Sequence, residues 1–389
     1  MNWNEYLRPA EAALMHSQRL SIATAFPADN FSIQEALSRK PTAVLLGLPY
    51  YQRGEKVYWW PQATRNVRKH LYRLALPTSA LYMVDIGDIY VAERAPKLLF
   101  EAIETLTKAL IQEGHTVILF GGGQEAAHPL YRALAAQETP FVYALIDKKL
   151  DLIDPVSLEE MPHRSYHRDM LIDEEVSVST WGHIIGLAWH WLSPEEESLI
   201  HEKLHMLYVR LHELAHTPDV AEPLLRMTAL ISLDLGVIRG ADMPAVLDPE
   251  VEGVPIEIAS KLMRFAGMGY RSEVLHIANY FPKRDMDGRT AAGIALLIWY
   301  FLEGRMNPCQ DFPKADRSNL QKYIVPLPHF DEVRELVFYR HPISGRWWLE
   351  IPLLHAENQI RLVPCSQQTY EEALAGEIPR IWYALRLCF

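Results

Sequence analysis

Residues 143–152, YALIDKKLDL, decide the fold of this chain, because an apolar run ends there abruptly in charged side chains. A run of this kind, preceded by another apolar run and a glycine turn, is typical of a buried parallel strand. Its end carries Asp147, Lys149 and Asp151. In open α/β sheets, ligands bind at the carboxyl ends of the strands. The stretch therefore predicts a functional site at residues 147–151.

Two further apolar runs end in polar residues that we expect at the same edge of the sheet. Thr116–Phe120 (TVILF) leads into a triple glycine and Gln124, and Ala229–Leu235 (ALISLDL) carries Asp234. The carboxyl ends of parallel strands meet at one edge. Close approach of the backbone is the interpretation that we favour for the triple glycine, since GGGQEAAH is not the G-x-G-x-x-G pattern of a dinucleotide site.

The order of the remaining patterns predicts a mostly parallel central sheet. Apolar runs at Ala43–Gly47, Leu81–Ile86 and Val274–Ala278 alternate with segments whose apolar residues recur at helical spacing. This alternation is the βαβ signature of an α/β fold. We expect four parts: residues 1–40, an N-terminal helical segment; residues 41–304, the α/β domain; residues 305–330, a proline-rich linker; and residues 331–389, a small α+β extension containing a hairpin at Leu336–Tyr339 and Arg346–Ile351.

Composition excludes several classes of partner. The formal net charge is -11, with 49 acidic against 38 basic residues, which argues against nucleic acid because phosphate binding needs clustered Lys and Arg. The three cysteines are widely spaced and form neither a zinc pattern nor a disulfide framework. The longest apolar run, Ala291–Leu302, falls below the roughly 18 residues that span a bilayer. We expect a cytoplasmic protein with no membrane contact.

Four short motifs together resemble the strand-end motifs of the ureohydrolases, the superfamily of arginase, agmatinase and formimidoylglutamase. They are DIGD from Asp85, GGGQE at Gly121–Glu125, DKKLD at Asp147–Asp151 and SLDLG at Ser232–Gly236. The resemblance covers residues 41–303 and is closest to a bacterial formimidoylglutamase-like branch with a C-terminal extension. It implies an arginase-like three-layer α/β/α fold, and it is compatible with a homo-oligomer.

The resemblance also implies a centre of two manganese ions that hydrolyses a guanidinium or formimino carbon, but the chain departs from it. Gln124 and Lys149 stand where the family has histidine ligands, and Gly236 stands where it has an aspartate. Asp147, Asp151 and Asp234 match ligands. The family's acidic substrate residue aligns on Asn279.

We therefore expect a degenerate site in a non-hydrolytic protein that binds a small molecule or another protein. Its remnant metal positions are Asp147, Asp151, Asp234 and Gln124, and its pocket positions are Lys149, Gly236, Gly122, Gly123 and Asn279. No cofactor is expected, although the four oxygen-bearing residues leave open a single Mn, Mg or Ca ion. The rival is a residual hydrolase of linear amidines that uses one metal. No catalytic residue is assigned.

The patterns leave two roles open for the charged residues. We expect the ammonium of Lys149 to occupy the place of the second metal and neutralise Asp147 and Asp234. Alternatively, the two aspartates only accept backbone N–H bonds from their own loops, and Lys149 faces solvent. The histidines at 163, 167, 183 and 190 show no tight pairing and are interpreted as surface or hydrogen-bonded core residues.

Overall fold

A computed structural model describes residues 3–10, 21–25, 32–53, 56–93, 95–152, 161–200, 206–309, 311, 317–330, 333–352 and 360–386. Its centre is a nine-stranded sheet. The strands are β1 Leu7–Arg8, β2 Ala43–Leu48, β5 Met83–Ile89, β6 Val117–Gly121, β7 Phe141–Ile146, β8 Thr180–Leu187, β9 Leu207–Arg210, β10 Leu230–Asp234 and β11 Val274–Ala278. Their order in the sheet is β1-β5-β2-β6-β11-β10-β7-β8-β9. A separate hairpin consists of β3 Tyr50–Arg53 and β4 Lys56–Trp59.

All neighbours in the large sheet are parallel except β1, which runs antiparallel to β5. The predicted strands at Ala43, Leu81, Thr116, Ala229 and Val274 correspond to β2, β5, β6, β10 and β11. The apolar part of YALIDKKLDL is β7, whose six residues are all buried. The mostly parallel central sheet is therefore confirmed.

Helices cover both faces of this sheet. They are α1 Ile33–Ser38, α2 Pro61–Leu71, α3 Pro96–Gln112, α4 Ala127–Ala135, α5 Met161–Leu171, α6 Pro194–Leu199, α7 Leu211–His216, α8 Glu222–Arg226, α9 Ile256–Met268 and α10 Arg289–Met306. Consecutive strand residues such as Leu45 and Leu46 belong to different hydrophobic cores, because strand side chains alternate between faces. One core contains α2, α9 and α10, and the other contains α3 and α4. The three-layer α/β/α arrangement is confirmed.

Local sequence signals set several helix boundaries. The side chain of Ser32 accepts from the backbone N–H of Glu35, and the carboxylate of Glu35 accepts from the N–H of Ser32, which is a capping box that begins α1. Ser193 and Glu196 form the same arrangement at the start of α6, with Pro194 at the first helical position. These caps satisfy N–H groups that have no partner within the helix.

The C-terminal part forms a four-stranded antiparallel sheet with two helices. Its elements are β12 Gln321–Pro326, β13 Glu335–Arg340, β14 Trp347–Pro352, β15 Ile360–Cys365, α11 Gln367–Leu374 and α12 Arg380–Arg386. The predicted hairpin corresponds to β13 and β14. Strand β12 lies inside residues 305–330, the range expected to be a linker. Its residues are mostly exposed, so no buried apolar run marks it as a strand.

This sheet packs on the α/β domain through apolar and charged contacts. Trp347, Leu349 and Ile351 belong to the same core as α9 and α10. Arg346 Nε forms an ion pair with Glu222 Oε1 at 3.1 Å. The backbone carbonyl of Trp347 accepts from the guanidinium of Arg226 at 3.3 Å. Among the described residues, no helix is long and apolar enough to cross a membrane.

Candidate functional site

The sheet order places the predicted site residues side by side. Strands β6, β11, β10 and β7 are neighbours. Gln124 follows β6, Asn279 follows β11 and Asp147 follows β7, while Asp234 is the last residue of β10. Of these four residues, Gln124 and Asp147 are almost fully buried. The convergence predicted from sequence is therefore present in the structure.

Gln124 lies between two carboxylates. With its amide oriented to satisfy its neighbours, Nε2 donates to Asp147 Oδ2 at 2.7 Å and to Asp234 Oδ2 at 2.8 Å. Its Oε1 accepts from the hydroxyl of Tyr166 on α5 at 3.0 Å. A single amide group thus bridges the ends of β7 and β10.

Asp234 receives further N–H donors. Its Oδ1 accepts from the backbone N–H of Gly236 at 2.5 Å, and its Oδ2 accepts from Nδ2 of Asn279. Asn279 adopts the left-handed conformation with φ 71°, and its backbone N–H donates to the carbonyl of Gly122 at 2.8 Å. Hydrogen bonds to a carboxylate favour its charged form. They therefore oppose the cost of burying Asp234.

The three aspartates remain difficult to ionise despite these donors. Burial is the main cause that raises the pKa of Asp147 well above its usual range, with the charges of Asp234 and Asp151 adding to it. Burial and the charge of Asp234 also raise the pKa of Asp151 to about 7. The cluster therefore holds less than its full negative charge near neutral pH.

The triple glycine allows a close approach of two backbones, as the sequence interpretation proposed. Gly121 and Gly122 have φ values of 98° and 71°. A Cβ at Gly121 would lie 2.4 Å from the carbonyl oxygen of Leu48, and one at Gly122 would lie 2.4 Å from the Leu48 side chain. At Gly123, a Cβ would meet the carboxylate of Glu125. Only glycine fits this turn, which brings Gln124 towards the carboxylates.

Lys149 does not lie between Asp147 and Asp234. Its backbone N–H donates to Asp147 Oδ1 at 3.1 Å, whereas its ammonium lies 4.3 Å from the ring centre of Trp191. Within the described part of the chain, no ion pair joins this ammonium to the three aspartates. Its charge still lowers the pKa of each of them. The expectation of direct contact is wrong, because the ammonium is held by the face of an aromatic ring instead.

Sequence reasoning missed the neighbouring Lys148. Its side chain is 5% exposed, and its Nζ forms an ion pair with Glu250 Oε1 at 2.7 Å. Glu250 Oε2 accepts from Nε1 of Trp191 at 3.1 Å. Tyr166, Trp191 and Glu250 were also missed, since they come from segments without a recognisable motif. An apolar stretch at His183–Trp191 was the only signal near any of them.

A second acidic cluster lies at the end of β5, in the DIGD motif. Arg68 on α2 is almost fully buried and binds Asp85 through Nε at 2.7 Å and Nη2 at 2.9 Å. Its Nη1 binds Asp88 Oδ1 at 2.5 Å. The hydroxyl of Tyr72 donates to Asp85, and that of Thr64 donates to Asp88 at 2.8 Å. Every charge here has an opposite charge in direct contact.

The histidines of the middle segment take no part in the site. His167 is buried and contacts the hydroxyl of Tyr143 and the carbonyl of Leu150. His183 is also buried, but neither of its ring nitrogens has a hydrogen-bond partner. It is therefore not the hydrogen-bonded core residue that was expected. His190 is half exposed near Glu252, and the side chain of His163 lies outside the described residues.

The residues present do not fit a two-metal centre. The lone pairs of Asp147 and Asp234 that face Gln124 are taken by the hydrogens of its amide, and Lys149 and Gly236 offer no ligand atom. Among the described residues, no group of three His, Cys, Asp or Glu side chains is arranged to hold a metal ion. A single hard cation would need the Gln124 amide reversed, so that its oxygen faces the carboxylates.

The fold and the strand-end carboxylates define a three-layer α/β/α protein with its site at the carboxyl edge of a parallel sheet. The chain belongs to the arginase family, whose sequence profile matches residues 42–303. Among curated proteins, it is 24% identical over 232 residues to formimidoylglutamase from Nocardia farcinica, covering 55% of this chain and 70% of that one. It is 22% identical over 267 residues to the Paraburkholderia xenovorans formimidoylglutamase, covering 62% and 80%.

Solved structures of similar proteins establish the same fold. Trypanosoma cruzi formiminoglutamase, solved with Mn²⁺, superposes with a TM-score of 0.63 at 18% identity and covers 74% of this chain and 99% of its own. Bacillus subtilis formimidoylglutamase gives a TM-score of 0.58 at 16% identity, covering 69% and 89%. The predicted resemblance to the formimidoylglutamase-like branch is confirmed.

Proposed function

We propose that this protein is a non-hydrolytic member of the arginase family, acting as a binding or scaffold protein. The observation that carries the proposal is the amide of Gln124, whose nitrogen hydrogen-bonds to Asp147 and Asp234 at 2.7 and 2.8 Å. Hydrogen bonds from the protein then hold together carboxylates that would otherwise require cations. Its ligand is a small molecule or another protein.

The chemistry of hydrolysis supports this proposal. A metal ion generates a nucleophile by lowering the pKa of bound water to about 7, and an ammonium group has no comparable effect. Here Lys149 and Gly236 take the places of two ligands in the family pattern, and Asn279 takes the place of its acidic substrate residue. Without these groups, neither water activation nor the binding of a cationic substrate has a source among the residues of the site.

A second candidate, hydrolysis of a linear amidine with a single metal, rests on the torsion of Gln124. Rotation of its terminal amide by about a half turn exchanges Nε2 and Oε1, and such terminal torsions are soft. The amide oxygen would then join Asp147, Asp151 and Asp234 in a four-oxygen set that suits Mn, Mg or Ca. In this candidate the metal, when bound, would polarise the substrate and its attacking water.

Metal analysis and enzyme assays separate the two candidates. The purified protein should contain no stoichiometric metal, and it should not turn over formimidoylglutamate, agmatine or arginine when Mn²⁺ is added. One tightly bound metal ion per chain together with turnover of any of these substrates would refute the non-hydrolytic proposal.

Restoration of the family ligands tests the assignment of the site. The variant Gln124→His/Lys149→His/Gly236→Asp should bind Mn²⁺ at least tenfold more tightly than the parent, because six ligand positions would then surround two ions. Calorimetric titration measures the affinity, and the same triple variant with Asp151→Asn added should lose part of the gain. Equal and negligible binding in all three proteins would contradict the assignment.

A further inference from the structure

Four residues from three strand-end loops contact one another near the carboxylate cluster, and we call them the lysine cap. Lys148 and Lys149 follow β7, Trp191 follows β8, and Glu250 follows β10. Glu250 joins them, since one carboxylate oxygen binds Lys148 Nζ at 2.7 Å and the other accepts from Trp191 Nε1 at 3.1 Å. The ammonium of Lys149 rests on the face of Trp191.

The two lysines of the cap differ in burial and in what they contact. Lys148 is 5% exposed and its stem passes beside Gly236, with its Cε 3.8 Å from where a Cβ at that position would lie. The backbone N–H of Gly236 in turn donates to Asp234, which places Lys148 against the cluster. Lys149 is half-buried and has an aromatic face as its described contact.

The absence of a side chain at Gly236 and the path of Lys148 are linked. The family pattern has a ligand aspartate at this position, and its Cβ would lie 2.9 Å from Asp234 Oδ1 and within van der Waals contact of Lys148. The methylene groups of Lys148 therefore lie beside Gly236, within contact distance of any side chain placed there. Burial of an ammonium is costly unless a carboxylate is in direct contact, and Glu250 supplies that contact.

We propose that Lys148, held in place by Glu250, is the buried cation beside the carboxylate cluster and weakens the binding of divalent cations there. The charge of Lys149 also acts on the aspartates, but its ammonium lies against the ring of Trp191, whereas Lys148 lies beside Gly236. The inference rests on the proposed function, because a protein with a working metal centre would not need an internal cation. Lys148 acts as a positioning and selectivity residue: its fixed positive charge repels a second cation, and its bulk fills the space beside Gly236.

Neighbouring lysines provide a matched test in the full-length protein. Lys148→Met and Lys149→Met each keep the length of the side chain and remove its charge. Titration with Mn²⁺ alone, followed by calorimetry and by the thermal midpoint, should show at least tenfold tighter binding in Lys148→Met than in the parent. Lys149→Met should show a smaller gain, because its charge acts on the aspartates but its ammonium lies against Trp191. A metal that binds only the folded state raises the midpoint as its concentration rises.

Lys148→Met leaves Glu250 without its partner and can therefore unfold. The double variant Lys148→Met/Glu250→Gln removes both charges, avoids an unpaired carboxylate and should show the same gain in Mn²⁺ affinity. Negligible binding in the parent and in both Lys148 variants would overturn the assignment of Lys148, as would a gain confined to Lys149→Met. Tight binding with substrate turnover in the parent would instead refute the proposed function.

Discussion

Two acidic clusters at the same edge of the sheet are stabilised in opposite ways. At the end of β5, the guanidinium of Arg68 directly contacts both Asp85 and Asp88. At the ends of β7 and β10, Asp147 and Asp234 accept hydrogen bonds from the amide of Gln124, and the nearest lysines contact Glu250 and Trp191 instead. In the first cluster, each carboxylate already contacts the guanidinium of Arg68. The second has carboxylates whose charge is only partly balanced, as expected of a site that binds something.

The pKa values in the two clusters are shifted by different causes. Burial lowers the pKa of the Arg68 guanidinium, but Asp85 and Asp88 outweigh burial and raise it well above the usual value. In the other cluster, burial and like charges act in the same direction and raise the pKa of Asp147 and Asp151. The number of carboxylates therefore does not distinguish the two clusters, whereas the balance of charge around them does.

The largest effect is expected from the loss of Arg68. Arg68→Met removes the cation from a buried cluster and leaves Asp85 and Asp88 facing each other, which should lower the free energy of unfolding by about 3–5 kcal/mol. A denaturant titration at neutral pH measures the loss. As a control, Lys261→Met removes an ammonium that is 41% exposed and paired with Asp219, itself 66% exposed, and it should cost about 1 kcal/mol or less. Equal losses would contradict the distinction.

The pH dependence of the free energy of unfolding should change when the buried His183 is removed, because His183 and Asp151 contribute to it with opposite signs. Burial lowers the pKa of His183 in the folded protein to about 3, whereas its pKa in the unfolded chain is about 6.5. Between these two pH values only the unfolded chain binds the proton. Stability then falls as pH falls, by about 1.4 kcal/mol per unit. Asp151 has the opposite sign, because its raised pKa lets the folded state take up a proton first.

His183→Gln should therefore gain stability relative to the parent by about 1.4 kcal/mol for each pH unit between about pH 6 and about pH 4. The measurement is the free energy of unfolding at several pH values. The half-exposed His190→Gln serves as the control for replacing a histidine outside the core. Parallel pH profiles for parent and His183→Gln would show that His183 does not stay neutral in the folded protein.

The smallest effect is expected at Asp147. Asp147→Asn removes one of three mutually repelling carboxylates but loses one of the two bonds that Asp147 accepts from Gln124 and the Lys149 N–H, so the net change in stability should be no more than about 1 kcal/mol. The matched variant Asp85→Asn takes a charge from the bidentate pair with Arg68 and should cost about 3 kcal/mol. Thermal or chemical denaturation of both variants gives the comparison. If Asp147→Asn lost as much as Asp85→Asn, the two clusters would be alike.

Sequence reasoning located the strands that are apolar throughout. Runs such as AVLLG and TVILF have no competing interpretation, and they are the buried strands β2 and β6. Strands β8 and β12 were missed because glycine, histidine and exposed polar residues interrupt their apolar character. Strand β1 has only two residues, and its position depends entirely on pairing with β5. Pairing of that kind is a property of the fold and leaves no local pattern.

The site was predictable only where a motif follows a strand. Gln124, Asp147 and Asp234 were expected together and lie together. Lys149 was expected to contact the carboxylates and lies against Trp191 instead, because after the last residue of β7 the alternation of side chains no longer applies and Asp151 turns the backbone to φ 53°. Glu250 comes from a loop about 100 residues away, and nothing in the sequence associates it with Lys148.

The two edge strands of the large sheet acquire their contacts at very different times during synthesis. β1 precedes β5 in the chain, so its antiparallel pairing is possible as soon as β5 has been made. The opposite edge, β9, packs against α12, which belongs to the C-terminal extension. Open strand edges are templates for association with other chains. The growing polypeptide therefore exposes β9 until the extension has been translated, and chaperone dependence should be greatest in that interval.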